Sequence, residues 1–113
     1  MTDWNEYQKQ IQHQLAAIGR TNREVIKGYR ELSNAGAATN LLGEKTRELI
    51  ALAVAVTRQC DGCIVTHTDA AIRQGATKEE IVEALSVAIA VNAGAALIYS
   101  SRVLDAFDVK KAG

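Results

Sequence analysis

Proline is absent from all 113 residues, and aromatic side chains make up only 4% of them. Without proline, nothing of that kind kinks or stops a helix. Neither sign of charge predominates, since 13 Lys and Arg balance 13 Asp and Glu. That balance leaves no basic footprint for DNA, RNA or an anionic membrane surface. The longest unbroken apolar run, Leu49 to Val56, is far shorter than the ~20 residues of a membrane span, so none is expected. No basic segment followed by an apolar stretch opens the chain, which is therefore expected to be cytoplasmic. Gly-rich phosphate loops and a Gly-x-Ser-x-Gly elbow are also missing.

What is present favours helix. Hydrophobic residues reach 48% and alanine occurs 19 times, which excludes a disordered chain and suits an all-α protein. The length fits a single domain, residues 1–113, with an adequate but modest core. The pattern predicts a compact bundle of five or six helices. The first covers residues 1–18, with Trp4, Tyr7, Ile11, Leu15 and Ile18 at three- and four-residue spacing, and stops at Gly19. Thr21 and Glu24 then read as a capping box. The second carries Val25, Ile26, Tyr29 and Leu32 and dissolves between Asn34 and Asn40, the best loop candidate of the first half.

Helix three is predicted over residues 44–58, with a centre apolar on every side, as expected for a helix buried among several neighbours or inside an oligomer. A fourth runs over 61–74 and ends at Gly75. Thr77 and Glu80 form another capping box before a fifth helix with Ile81, Leu85, Ala88 and Ile89. A break or kink is expected at Asn92 to Gly94. A last helix then carries Leu97, Ile98, Val103, Leu104 and Phe107. From Val87 to Ile98 the only polar side chain is Asn92, more apolar surface than a small monomer hides easily, so an oligomer is expected.

The chemistry concentrates in Cys60, Cys63 and His67. Helical spacing makes Cys63 a neighbour of both other residues. The sulfurs open a helix, where unpaired N–H groups and the dipole favour a thiolate. His67, one turn on, can take the thiol proton. Glu48 joins them if helices three and four fold back antiparallel about Gln59. Roughly 15 Å of helix from Glu48 to Arg58 and roughly 10 Å from Cys60 to His67 bring the carboxylate to about the level of the imidazole. There it can hold the second ring nitrogen and fix the tautomer. These residues read as a relay from Glu48 through His67 to the thiols. The dipole favours Cys60 as the more acidic thiol, and adjacency to His67 favours Cys63.

Structural zinc is the rival chemistry, but Cys60, Cys63 and His67 supply only three ligands. The fourth would have to be Glu48, Asp61, His13 or another subunit. No metal or other cofactor is therefore expected.

Glu48, eleven residues, Cys60-Asp-Gly-Cys63, three residues and His67 together resemble the signature of the alkyl hydroperoxidase D-like proteins, within the carboxymuconolactone decarboxylase superfamily. The similarity runs over about 41–107 and includes the turn at Gly75 to Ile81. It implies an all-helical fold assembled as a trimer or hexamer, and a thiol peroxidase or disulfide oxidoreductase activity. Carried over, Cys63 attacks the peroxide, His67 and Glu48 relay its proton, and Cys60 resolves the sulfenic acid. The implied partners are a hydroperoxide and an external dithiol or reductase. Relatives of the peroxidase branch often have a second His between the cysteines. Here Asp61 stands in that segment, and its charge opposes thiolate formation. A decarboxylase-type enzyme and a non-enzymatic redox-sensing or assembly module are the other readings. Ala53, Ala70 and Ala71 would suit an organic peroxide.

Overall fold

A computed structural model describes residues 1–113 as six α-helices and no strands. They are α1 (Trp4–Thr21), α2 (Arg23–Thr39), α3 (Glu44–Arg58), α4 (Asp61–Arg73), α5 (Lys78–Tyr99) and α6 (Ser101–Ala112). Asp3 caps α1, its carboxylate accepting from the Glu6 N–H at 3.1 Å.

The expected stop at Gly19 does not occur, and α1 continues to Thr21. A Cβ at position 19 would lie 3.3 Å from Ile26 Cγ1, so this glycine lets α1 and α2 approach closely rather than ending a helix. Asn22 makes the turn alone. Its N–H donates to the Ile18 carbonyl at 2.8 Å, and its side-chain oxygen accepts from the Glu24 N–H at 3.2 Å. Thr21 is therefore not the cap. Its hydroxyl donates to the Ala17 carbonyl instead.

Nor does α2 dissolve at Asn34. It runs to Thr39 and ends on Asn40 in the left-handed conformation, φ 47°. Asn suits that conformation better than most residues. The Arg47 guanidinium donates to Asn40 Oδ1 at 2.8 Å, tying this turn to α3.

The centre of the molecule is α3 between α4 and α5. Leu52 and Ala55 from α3, Val65 and Ala71 from α4, and Ala88 from α5 are its buried residues. Three of these five are alanine, and small side chains at the crossings let the helix backbones come close. Antiparallel α4 returns along α3 through Gln59, a left-handed residue at φ 52°. By contrast α5 runs parallel to α3. Lys45 Nζ donates to Glu80 Oε2 at 2.8 Å near both N-termini, and Asn92 Nδ2 donates to Thr57 Oγ1 at 2.8 Å further along. Both links join residues 35 apart in sequence, so the register is constant between them.

The capping box that starts α5 is complete. The Glu80 N–H donates to Thr77 Oγ1 at 3.1 Å, and the Thr77 N–H to Glu80 Oε1 at 2.9 Å. The helix α5 runs unbroken through Asn92 to Gly94. Asn92 satisfies its amide within the helix, donating to the Ala88 carbonyl at 2.7 Å as well as to Thr57. The interruption falls at Ser100, itself helical at φ −60° and ψ −24°. So α6 prolongs α5 into one arm, and Lys78–Ala112 is long and apolar enough to cross a membrane by length and composition. Counting unbroken apolar residues passes over this stretch because Asn92, Gly94, three serines and the charged residues toward its ends interrupt it.

Compactness is the expectation the structure corrects most clearly. The radius of gyration is 19.0 Å, against roughly 13 Å for a compact domain of this size. Its longest extent, 58 Å, is close to the ~52 Å length of a 35-residue helix. The arm sets the shape because it leaves the three-helix core instead of folding back over it.

Candidate active site

The site forms where α3 hands over to α4. Gln59 reverses the chain, and Cys60 follows with extended backbone as the N-cap of α4. A cysteine does here what Ser or Asp does elsewhere: its Sγ accepts from the Cys63 N–H at 3.2 Å. That donor and the helix dipole both favour negative charge on Cys60 sulfur when it is reduced. In this structure Cys60 and Cys63 are joined by a disulfide, with their Cα atoms 5.2 Å apart, a separation such bonds commonly span.

Nearly two turns into α4, and one turn beyond Cys63, His67 meets the carboxylate of Glu48 across the α3–α4 crossing. His67 Nδ1 lies 2.6 Å from Glu48 Oε2, and both side chains are largely but not fully covered. With Nδ1–H donating to the carboxylate, Nε2 is the nitrogen left to accept a proton. Four residues separate His67 from Cys63, so the ring and the sulfur lie on one helical face. Thus the folding-back of α3 and α4 brings together Glu48 and His67, and the opening turn of α4 brings together Cys60 and Cys63.

No group of three or more His, Cys, Asp or Glu side chains gathers to hold a metal. Asp61, the acidic residue between the sulfurs, is exposed. Ala71 has no exposed surface. It therefore packs the core and cannot line a substrate path, contrary to its sequence reading.

One neighbour of the site is not evident from the motif. The side chain of Ile11 on α1 lies over Gly62, 3.9 Å from where a Cβ would stand. Trp4 and Tyr7 share that face of α1 and are themselves half-buried, the two rings meeting edge to face at 6.1 Å. The stripe Trp4, Tyr7 and Ile11 was legible as an amphipathic face, but nothing in its spacing named α4 as what it covers. An open crevice of about 1330 Å³ lies elsewhere, between α1 and α2 beside Leu15, Ile26 and Tyr29. It contains none of the sulfur, imidazole or Glu48 groups.

Residues 23–106 match the model of the carboxymuconolactone decarboxylase family. An uncharacterized protein from Haemophilus influenzae is 45% identical over 111 residues, covering 98% of each chain. A second, from Cupriavidus necator, is 32% identical with the same coverage. An uncharacterized protein of the cox locus of Paracoccus denitrificans is 40% identical over 82% of this chain and 86% of its own. Among solved structures, an apo carboxymuconolactone decarboxylase family protein from Legionella pneumophila superposes with a TM-score of 0.75. It is 36% identical, over 93% of this chain and 94% of that one.

Proposed function

The chain belongs to the carboxymuconolactone decarboxylase family, and within it we propose that this protein is a thiol-dependent peroxidase that reduces organic hydroperoxides through a Cys60–Cys63 dithiol cycle. The observation that carries the reading is the pairing of a disulfide at the N-terminus of α4 with a Glu48–His67 hydrogen bond one turn further along the helix. A decarboxylase would have no use for the two sulfurs.

The chemistry follows from these groups. His67 Nε2 takes the Cys63 thiol proton, and Glu48 at Nδ1 holds the ring and offsets the positive charge that develops. The Cys63 thiolate attacks the distal oxygen of ROOH. A sulfur–oxygen bond forms, the oxygen–oxygen bond breaks, and the departing alkoxide takes the proton from His67 to leave as ROH. Cys63 is then a sulfenic acid. Cys60 attacks its sulfur and expels water, giving the disulfide state seen here. An external dithiol restores both thiols by exchange through a mixed disulfide and is itself oxidised. Electrons pass only between sulfur and oxygen, so the cycle calls for no flavin or haem.

Cys63 takes the attacking role because His67 lies on its helical face. Cys60 takes the resolving role because the Cys63 N–H already steers its sulfur toward that residue. The test is the intact mass of the reduced, chelator-treated protein before and after about one equivalent of an organic hydroperoxide. Loss of two hydrogens, abolished by Cys60→Ser and by Cys63→Ser, is the expected result. An unchanged mass with both thiols free would overturn the proposal.

A further inference from the structure

The crevice between α1 and α2 takes no part in the thiol chemistry, and its two walls carry different kinds of side chain. It runs from Gly19 and Ile26, where the helices touch, out to Gln12 and Asn34. The α1 wall is uncharged along Leu15, Ala16 and Gly19, with Arg20 only at the turn. The α2 wall carries Arg23, Lys27 and Arg30 at four- and three-residue spacing. At about 100° per residue these three fall within ~60° of arc and form one cationic stripe about 10 Å long.

Nothing in the chain neutralises that stripe. The ion pairs of the molecule use Lys45, Arg73 and, when protonated, His67. The cationic side chains that donate hydrogen bonds are Lys45, Arg47 and Arg73. Glu24 and Glu31 also border the crevice, but they stand roughly 80° around α2 from the stripe. Like charges three and four residues apart repel one another on a helix. Carboxylates laid along the stripe relieve that repulsion and accept charge-assisted hydrogen bonds from two guanidiniums.

Size narrows the choice of occupant. The crevice measures about 1330 Å³, above the ~300–1,000 Å³ of small-molecule pockets. A helix about 10 Å wide and three turns long fills roughly 1,300 Å³ as a cylinder. A phosphate backbone suits the crevice poorly, because one wall is uncharged and Glu24 and Glu31 flank the other.

We propose that this crevice receives an acidic amphipathic helix of a partner protein, laid in the groove between α1 and α2. The apolar face of that helix rests on Leu15 and Ala16. Its carboxylates, at three- and four-residue spacing, meet Arg23, Lys27 and Arg30. No helix of this chain carries three carboxylates at that spacing, so the partner is a different protein. The inference stands independently of the peroxide chemistry.

The probe is a fluorescein-labelled helical peptide with leucine and alanine on one face and glutamate at three- and four-residue spacing on the other. Fluorescence anisotropy follows its titration with the full chain. Saturable binding is expected, weakened when salt rises from about 0.05 M to about 0.3 M. The triple variant Arg23→Ala, Lys27→Ala, Arg30→Ala should lose at least ~10-fold in affinity. Ala16→Trp fills the apolar wall, leaves every charge in place and should lose binding as well. A peptide with lysine in place of each glutamate should not bind. No binding of the glutamate peptide overturns the proposal, and so does equal binding of the lysine peptide or binding that survives both variants. Light scattering supplies the last check. A lower mass for either unliganded variant would mean that the crevice holds another copy of the chain, and the proposal falls.

Discussion

Glu48 and His67 stand 19 residues apart in sequence and 2.6 Å apart in space, carboxylate oxygen to Nδ1. The contact exists because α3 and α4 are antiparallel about Gln59. It fixes which imidazole nitrogen is free to act, and so ties the fold to the chemistry. Glu48→Gln keeps the size and a hydrogen-bonding group but removes the charge that offsets an imidazolium. Peroxide turnover is expected to fall roughly 10- to 100-fold, with the far-ultraviolet circular dichroism unchanged. Single-turnover thiol loss by stopped flow measures it, and a full rate in the variant would remove Glu48 from the relay.

The two cysteines are expected to fail differently. After one equivalent of hydroperoxide, Cys60→Ser should accumulate a sulfenic acid on Cys63, trapped by a dimedone adduct in a peptide map. Under the same treatment Cys63→Ser should stay unmodified at Cys60 or react far more slowly. The reverse pattern would exchange the attacking and resolving roles, as the Cys60 position at the helix N-terminus would permit.

Glu80 provides a pH-dependent test of the scaffold. The hydrogen bond from Lys45, reinforced by the Thr77 backbone N–H, holds its carboxyl below the ordinary value of 4.5. A lowered folded-state value means that the ionised carboxylate stabilises the fold above pH 4.5. This contribution fades as the pH falls through the lowered value. Urea midpoints of the wild type and Glu80→Gln should therefore differ most near pH 6 and converge toward pH 3. A gap that persists at pH 3 would show that the loss comes from packing or capping geometry instead of charge.

Ala71 has no exposed surface and sits at the contact of α4 with its neighbours. A larger side chain must push helices apart, so Ala71→Leu is expected to cost about 1–3 kcal/mol. Equilibrium denaturation reads this directly. A neutral or stabilising result would mean that the core holds space the static structure does not show.

Local chemistry alone determined much of this protein. Helical periodicity and the lack of proline gave an all-α chain, the bounds of α3 came from its flanking turns, and Thr77 with Glu80 announced the start of α5. The candidate site residues were legible too, because three of the four lie within eight consecutive positions and helical spacing is a local property. Where the reading slipped, a tertiary contact had mostly overridden a local signal. Gly19 continues a helix because Ile26 packs close against it, whereas α2 persists past Asn34 for a local reason, its alanines at 35, 37 and 38 outweighing Gly36. Asn92 does not break α5, because Thr57 and the Ala88 carbonyl satisfy its amide. Only the tertiary structure decided that Glu48 meets Nδ1, that Ile11 covers Gly62, that α5 runs parallel to α3, and that the arm departs from the core. Each depends on how helices are placed against one another, which buried area and side-chain shape settle across long sequence separations and no local pattern encodes.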